Sequence, residues 1–141
     1  MSEISGIKNL INNLDARNDK KKILIIDDDP GYIGLLREWL RADYKVFMST
    51  SGEMALEWLS KNQADLILLD FEMPGLNGPE MLAKIKTIDN SANTPVVFIT
   101  GNEEEEVESG TATGANGFVP DGCIFKTITR DDFLKKIPTF L

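Results

Sequence analysis

A chain of 141 residues with 42% hydrophobic and 27% charged content has the size and make-up of one ordinary soluble domain with a single sizeable core. Its formal charge of −8 argues against nucleic acid as a direct partner, no apolar run is long enough to span a membrane, and no signal-peptide pattern opens the chain. One cysteine, Cys123, excludes an internal disulfide and fits a reducing cytoplasm, while the absence of histidine removes Ser-His-Asp and Cys-His nucleophile chemistry and His-based zinc sites.

In chain order, Ile4, Ile7, Ile11 and Leu14 stand at helical spacing and predict a short amphipathic helix, followed by a polar, basic connector over 17–22. This segment reads as a solvated extension, or as a helix that docks on the domain or on a second copy, which leaves a homodimer open. Ile23-Leu24-Ile25-Ile26 is a short, wholly apolar strand ending on Asp27-Asp28-Asp29. Asp29 suits an N-cap and Pro30 the first turn of a helix reaching about Arg41, with Ile33, Leu36, Trp39 and Leu40 facing in. Lys45-Val46-Phe47-Met48 gives a second strand, and Ser51 caps a helix with Met54, Ala55, Trp58 and Leu59 on its inner face.

Leu66-Ile67-Leu68-Leu69 forms the third strand, which ends on Asp70 and runs into the Pro74-Gly75-Leu76-Asn77-Gly78 loop. Gly78-Pro79 opens a helix that buries Met81, Leu82, Ile85 and Ile88, and Pro95 to Thr100 is a fourth strand. Glu103 to Glu106 suit a helix start, but Gly110, Thr111, Thr113 and Gly114 are weak helix formers. Pro120-Asp121-Gly122 is a turn signal, Cys123-Ile124-Phe125 a fifth strand ending on Lys126, and Thr129 caps a last helix with Phe133, Leu134 and Ile137, stopping at Pro138. Strands alternating with helices predict an α/β fold, a doubly wound five-stranded parallel sheet with helices on both faces.

Four strands thus end in groups capable of chemistry: Asp27 with Asp28, Asp70, Thr100 and Lys126. A doubly wound sheet brings all four ends to one edge, where ligands gather. Three carboxylates crowded together raise one another's pKa unless a cation sits among them, and a hard divalent ion such as Mg²⁺ accepts that donor set while leaving positions for phosphate oxygens. Lys126 adds a positive point charge and Thr100 a hydroxyl, which completes the parts needed to move a phosphoryl group onto a carboxylate. Asp70 is then the natural nucleophile.

Ile-Leu-Ile-Ile-Asp-Asp-Asp-Pro, Leu-Ile-Leu-Leu-Asp-Phe-Glu-Met-Pro-Gly-Leu-Asn-Gly, Phe-Ile-Thr-Gly and Ile-Phe-Lys resemble the signature segments of response-regulator receiver domains over about residues 22–137. The resemblance, to a stand-alone chemotaxis-regulator-like receiver, implies the flavodoxin-like receiver fold in residues 22–141 behind an extension at 1–21. It implies that Asp70 accepts a phosphoryl group from a sensor histidine kinase or a histidine phosphotransfer protein. It further implies Mg²⁺ on Asp27, Asp28, Asp70 and the backbone carbonyl of Glu72, with Thr100 bonding the aspartyl-phosphate and Lys126 pairing with it.

Nothing follows Leu141, so the expected output is a change in binding to a separate, unidentified downstream protein, in the cytoplasm, without catalysis of its own. Two departures stand out: Thr127 replaces the proline that usually follows the lysine, and a longer run separates Gly114-Ala115-Asn116-Gly117-Phe118 from Lys126. Phe118 or Cys123 is expected where the family has its switching aromatic. A pseudo-receiver that never carries phosphate is the alternative, with a haloacid-dehalogenase-like phosphatase using Asp27, Asp29, Thr100 and Lys126 behind it.

Overall fold

The computed structural model describes residues 20–101 and 118–141. The helix expected from Ile4, Ile7, Ile11 and Leu14, the one starting at Glu103 to Glu106, and the part of the altered segment up to Gly117 lie outside the described residues.

The apolar runs form strands β1 (Lys22–Ile26), β2 (Lys45–Ser49), β3 (Leu66–Asp70), β4 (Val96–Thr100) and β5 (Gly122–Phe125). They pair in parallel in the order β2-β1-β3-β4-β5. Helices α1 (Pro30–Leu40), α2 (Gly52–Lys61), α3 (Gly78–Lys86) and α4 (Arg130–Lys136) alternate with them. β3 is buried along its whole length, as its unbroken apolar run requires.

The side-chain period of two sends alternate strand residues to two separate cores. Ile23, Ile25, Leu66, Leu68, Val97 and Ile99 pack with Ile33, Leu36 and Leu40 of α1 and with Phe133 of α4. Leu24, Ile26, Ile67, Leu69, Val96 and Phe98 pack with Ala55 and Leu59 of α2 and with Met81, Leu82 and Ile85 of α3. Each fully buried aliphatic side chain is worth about 1.5–3 kcal/mol, so these two layers hold the sheet.

The caps fall where the sequence places them. Asp29 Oδ1 accepts from Gly31 N and Tyr32 N, Ser51 Oγ from Met54 N, and Thr129 Oγ1 from Asp132 N. Asn77 Oδ1 caps α3 through Glu80 N. Gly78 allows a close closure of the loop after Asp70: its N–H donates to Phe71 O at 2.9 Å, and a Cβ there would press on the Phe71 backbone at 3.2 Å.

Three local expectations change. Met54 is 54% exposed, because α2 buries Gly52, Ala55 and Leu59, and Met54 stands in the first turn on the flank of that stripe. The last α-helix stops at Lys136, just ahead of Pro138, but the chain goes on as a 3₁₀ turn over Ile137–Phe140, whose early position Pro138 tolerates for want of an N–H. Asp121-Gly122 does more than turn the chain, since Gly122 already pairs with Val97 as the first residue of β5.

Candidate functional site

Sheet order reverses at β1: β2 lies on one side of it and β3 on the other. The crevice at such a reversal, beyond the carboxyl ends of the strands, is where open α/β sheets place their chemistry. Asp27, immediately after β1, and Asp70, the last residue of β3, flank it.

The backbone fixes both carboxylates. Asp27 N–H donates to Ser49 O at 3.1 Å, which extends the β1–β2 ladder by one residue and leaves the side chain fully buried. Asp27 Oδ1 accepts from Asp29 N at 2.9 Å, and Asp70 Oδ1 accepts from Glu72 N at 3.2 Å. The other oxygen of each faces Lys126: Nζ lies 3.0 Å from Asp27 Oδ2 and 3.7 Å from Asp70 Oδ2. Asp27 Oδ2 is buried and, although close to the ammonium, accepts no aligned hydrogen bond, so charge alone holds that contact. Asp28 is exposed, yet one oxygen from each of Asp27, Asp28 and Asp70 falls within 4.8 Å of the others.

Three carboxylates against one ammonium leave an excess of two negative charges. The strain appears as titration. Burial, then the charge of Asp27, pushes the Asp70 carboxyl up to about 7, although Lys126 and the Glu72 N–H pull it down. Burial would lower the Lys126 ammonium, but its close contact with Asp27 and the charges of Asp70, Asp27 and Asp29 outweigh it and raise the pKa. Both shifts agree that the lysine stays charged and cannot neutralise two carboxylates.

Thr100 is buried at the end of β4, paired with Phe125, one residue beyond the Asp70–Ile99 pair, and its carbonyl accepts from Lys126 N at 2.8 Å. The expected residues therefore converge at one edge. Thr127 sits in a turn closed by Ile128 N–H on Phe125 O at 3.0 Å. Phe118 and Cys123, the two candidates for the family aromatic, both pack half-buried against the α2–α3 core.

Asp29, which the phosphatase alternative needs as an acid, instead caps α1. Sequence reasoning does not single out Tyr32. Its ring lies under Lys126, 4.9 Å from Nζ to the centroid; an aromatic in the first turn after the acidic strand end is the signal that points to it.

The sequence model of the response regulator receiver domain matches residues 23–138. Sporulation initiation phosphotransferase F of Bacillus subtilis is 36% identical over 67% of this chain and 77% of its own length. A probable cyclic di-GMP phosphodiesterase of Vibrio cholerae is 38% identical over 69% of this chain, which spans only 22% of that protein. Among solved structures, the response regulator TrrA of Thermotoga maritima, in complex with Mg(2+)-BeF, superposes with a TM-score of 0.72 at 26% identity, covering 86% of this chain and 99% of its own. The matched span runs from the first residues of β1 to the turn after α4 and takes in both flanks of the switch-point crevice, and the chain belongs to the response regulator receiver domain family.

Proposed function

We propose that this receiver domain takes a phosphoryl group onto Asp70 from the phosphohistidine of a sensor histidine kinase or a histidine phosphotransfer protein. The observation that carries the assignment is the state of Asp70: buried, held by Glu72 N–H through one oxygen, with the other facing Lys126 and crowded by Asp27. An Asp70 oxygen attacks phosphorus, the P–N bond to the donor imidazole breaks, and the imidazole leaves with its electron pair. Lys126 pairs with the charge gathering on the phosphoryl oxygens, and the Thr100 hydroxyl bonds the product.

The residues fit a hard divalent cation. The donor set is all oxygen, the carboxylates converge within 4.8 Å, two negative charges are in excess, and Asp27 Oδ2 lacks a hydrogen bond. Asp27, Asp28, Asp70 and the backbone carbonyl of Glu72 would hold Mg²⁺, which when bound neutralises phosphoryl charge.

The domain begins at residue 22, works in the cytoplasm, and signals by altered binding to a downstream protein rather than by catalysis of its own; nucleic acid and membrane are not its partners. Among the described residues no helix is long and apolar enough to cross a membrane.

The intact mass after incubation with acetyl phosphate, with and without Mg²⁺, tests this. The expected result is a Mg²⁺-dependent gain of one phosphoryl group that Asp70→Asn abolishes. No adduct and no donor turnover would instead establish a pseudo-receiver. Donor hydrolysis that survives Asp70→Asn and disappears in Asp27→Asn would establish a phosphatase.

A further inference from the structure

Lysine is a compact charge on a flexible four-carbon stem, so its reach must be restricted if it is to meet a particular oxygen. Lys126 leaves β5 with its side chain 27% exposed and two carboxylates beside its ammonium, the nearer being Asp27. Tyr32 also stands against it. Asp29 fixes that residue's backbone N–H at the start of α1, and the ring is packed on the core that holds Ile33, Leu36 and Phe133. The ring is therefore braced by the core while Lys126 Nζ lies 4.9 Å from its centroid, within cation–π reach. Its hydroxyl is buried without a hydrogen-bond partner among the described residues. No bond to the hydroxyl explains how the ring is placed, so packing and the ammonium are what the ring answers to.

We propose that Tyr32 is a positioning residue for Lys126: its ring face holds the ammonium in the gap between Asp27 and Asp70, where it meets the incoming phosphoryl group. Without the ring, the two carboxylates alone restrain the lysine, its stem gains rotamers, and each transfer must first order it. The assignment rests on the phosphoacceptor role of Asp70 and adds a residue that acts through Lys126.

The rate of phosphoryl uptake from acetyl phosphate at saturating Mg²⁺ reads the effect. Tyr32→Leu slows uptake by about three- to tenfold, whereas Tyr32→Phe, which keeps the ring, stays within about twofold of wild type. In a Lys126→Met background, Tyr32→Leu adds nothing to the loss. In NMR spectra the Lys126 ε-methylene protons are shifted upfield by the ring in wild type and Tyr32→Phe, and return to ordinary positions in Tyr32→Leu. Should Tyr32→Leu not fold, Tyr32→Met replaces it as a flexible ring-free filler.

Equal slowing by Tyr32→Leu with and without Lys126 would reduce the residue to packing and overturn the proposal. So would Tyr32→Phe falling as far as Tyr32→Leu, or the absence of the upfield shift. Wild-type protein that takes no phosphoryl group defeats the role of Asp70, and the NMR comparison still decides the contact. Uptake by wild type with no change in Tyr32→Leu defeats only the role of Tyr32.

Discussion

At the amino edge of the sheet, aspartates tie strands together. Lys22 N–H donates to Asp65 Oδ2 at 2.7 Å while Asp65 N–H returns a bond to Lys22 O at 2.8 Å. Val96 and Asp121 repeat the exchange, at 2.8 Å in each direction. At the carboxyl edge, Asp27 and Asp70 spend one oxygen each on a backbone N–H two residues ahead, and their remaining oxygens crowd around Lys126. The same side chain at a strand end is a fastener in one place and a reactive group in the other. What separates them is burial and the lack of enough opposing charge. Concavity does not separate them: an open hollow of about 340 Å³ lies at the amino edge, lined by Gln63, Asp65, Asp89 and Asn93 among others.

The largest expected break between the edges is in pH dependence. In metal-free protein the Asp70 carboxyl is pushed up to about 7, whereas an unfolded aspartate titrates near about 4. The folded state therefore binds this proton more tightly, and its contribution to stability is complete below about pH 4 and is lost as pH rises through about 7. Urea denaturation without divalent ions is expected to show a fall on the order of 2–4 kcal/mol across that window. Asp70→Asn flattens the fall, Mg²⁺ diminishes it at the upper end, and Asp121→Asn leaves it in place. A wild-type profile no steeper than that of Asp70→Asn would mean that the carboxylate is comfortable when ionised, and the contrast between the edges would collapse.

A smaller effect belongs to the amino edge itself. Asp121→Ala removes the acceptor for Val96 N–H and is expected to cost about 1–2 kcal/mol in urea denaturation, with phosphoryl uptake unchanged. An unchanged midpoint would show that water replaces the carboxylate at no cost.

The smallest effect sharpens the carboxyl edge. Glu72 is exposed, and its N–H holds Asp70. Glu72→Asn removes an acid beside the phosphoryl group and is expected to lengthen the phosphate's lifetime by up to about fivefold, the reach of an exposed charge, with little change in Mg²⁺ affinity. Equal dephosphorylation rates would discard that role.

Much of this was legible in the residues, for reasons of length and periodicity. Four- and five-residue apolar runs admit little but buried strands, and side-chain caps such as Asp29, Ser51 and Thr129 announce helix starts. The convergence of Asp27, Asp70, Thr100 and Lys126 followed from the topology, because parallel strands deliver all their carboxyl ends to one edge. Met54 failed because a helix stripe has two flanks, and five apolar residues in ten do not say which flank lies over the sheet. Tyr32 escaped because its importance is a contact with a lysine 94 positions later in the chain, which no local pattern encodes. The latch at Asp121 was hidden for the same reason: Pro-Asp-Gly announces a turn but not that the aspartate reaches Val96 across the sheet.

The reversal of strand order at β1 also governs when the site comes into being. Asp27 and Asp70 stand 43 positions apart and meet only when β1 and β3 pair, after two crossovers, and Lys126 arrives only when β5 adds to the edge. Such distant pairings form late, since the chain must close long loops before gaining from the contact. On a ribosome the acidic residues emerge well before the lysine that restrains them, so the site stays incomplete until the last strand has joined the sheet. A complete set of strand-end groups is in this way a mark that the sheet itself has closed.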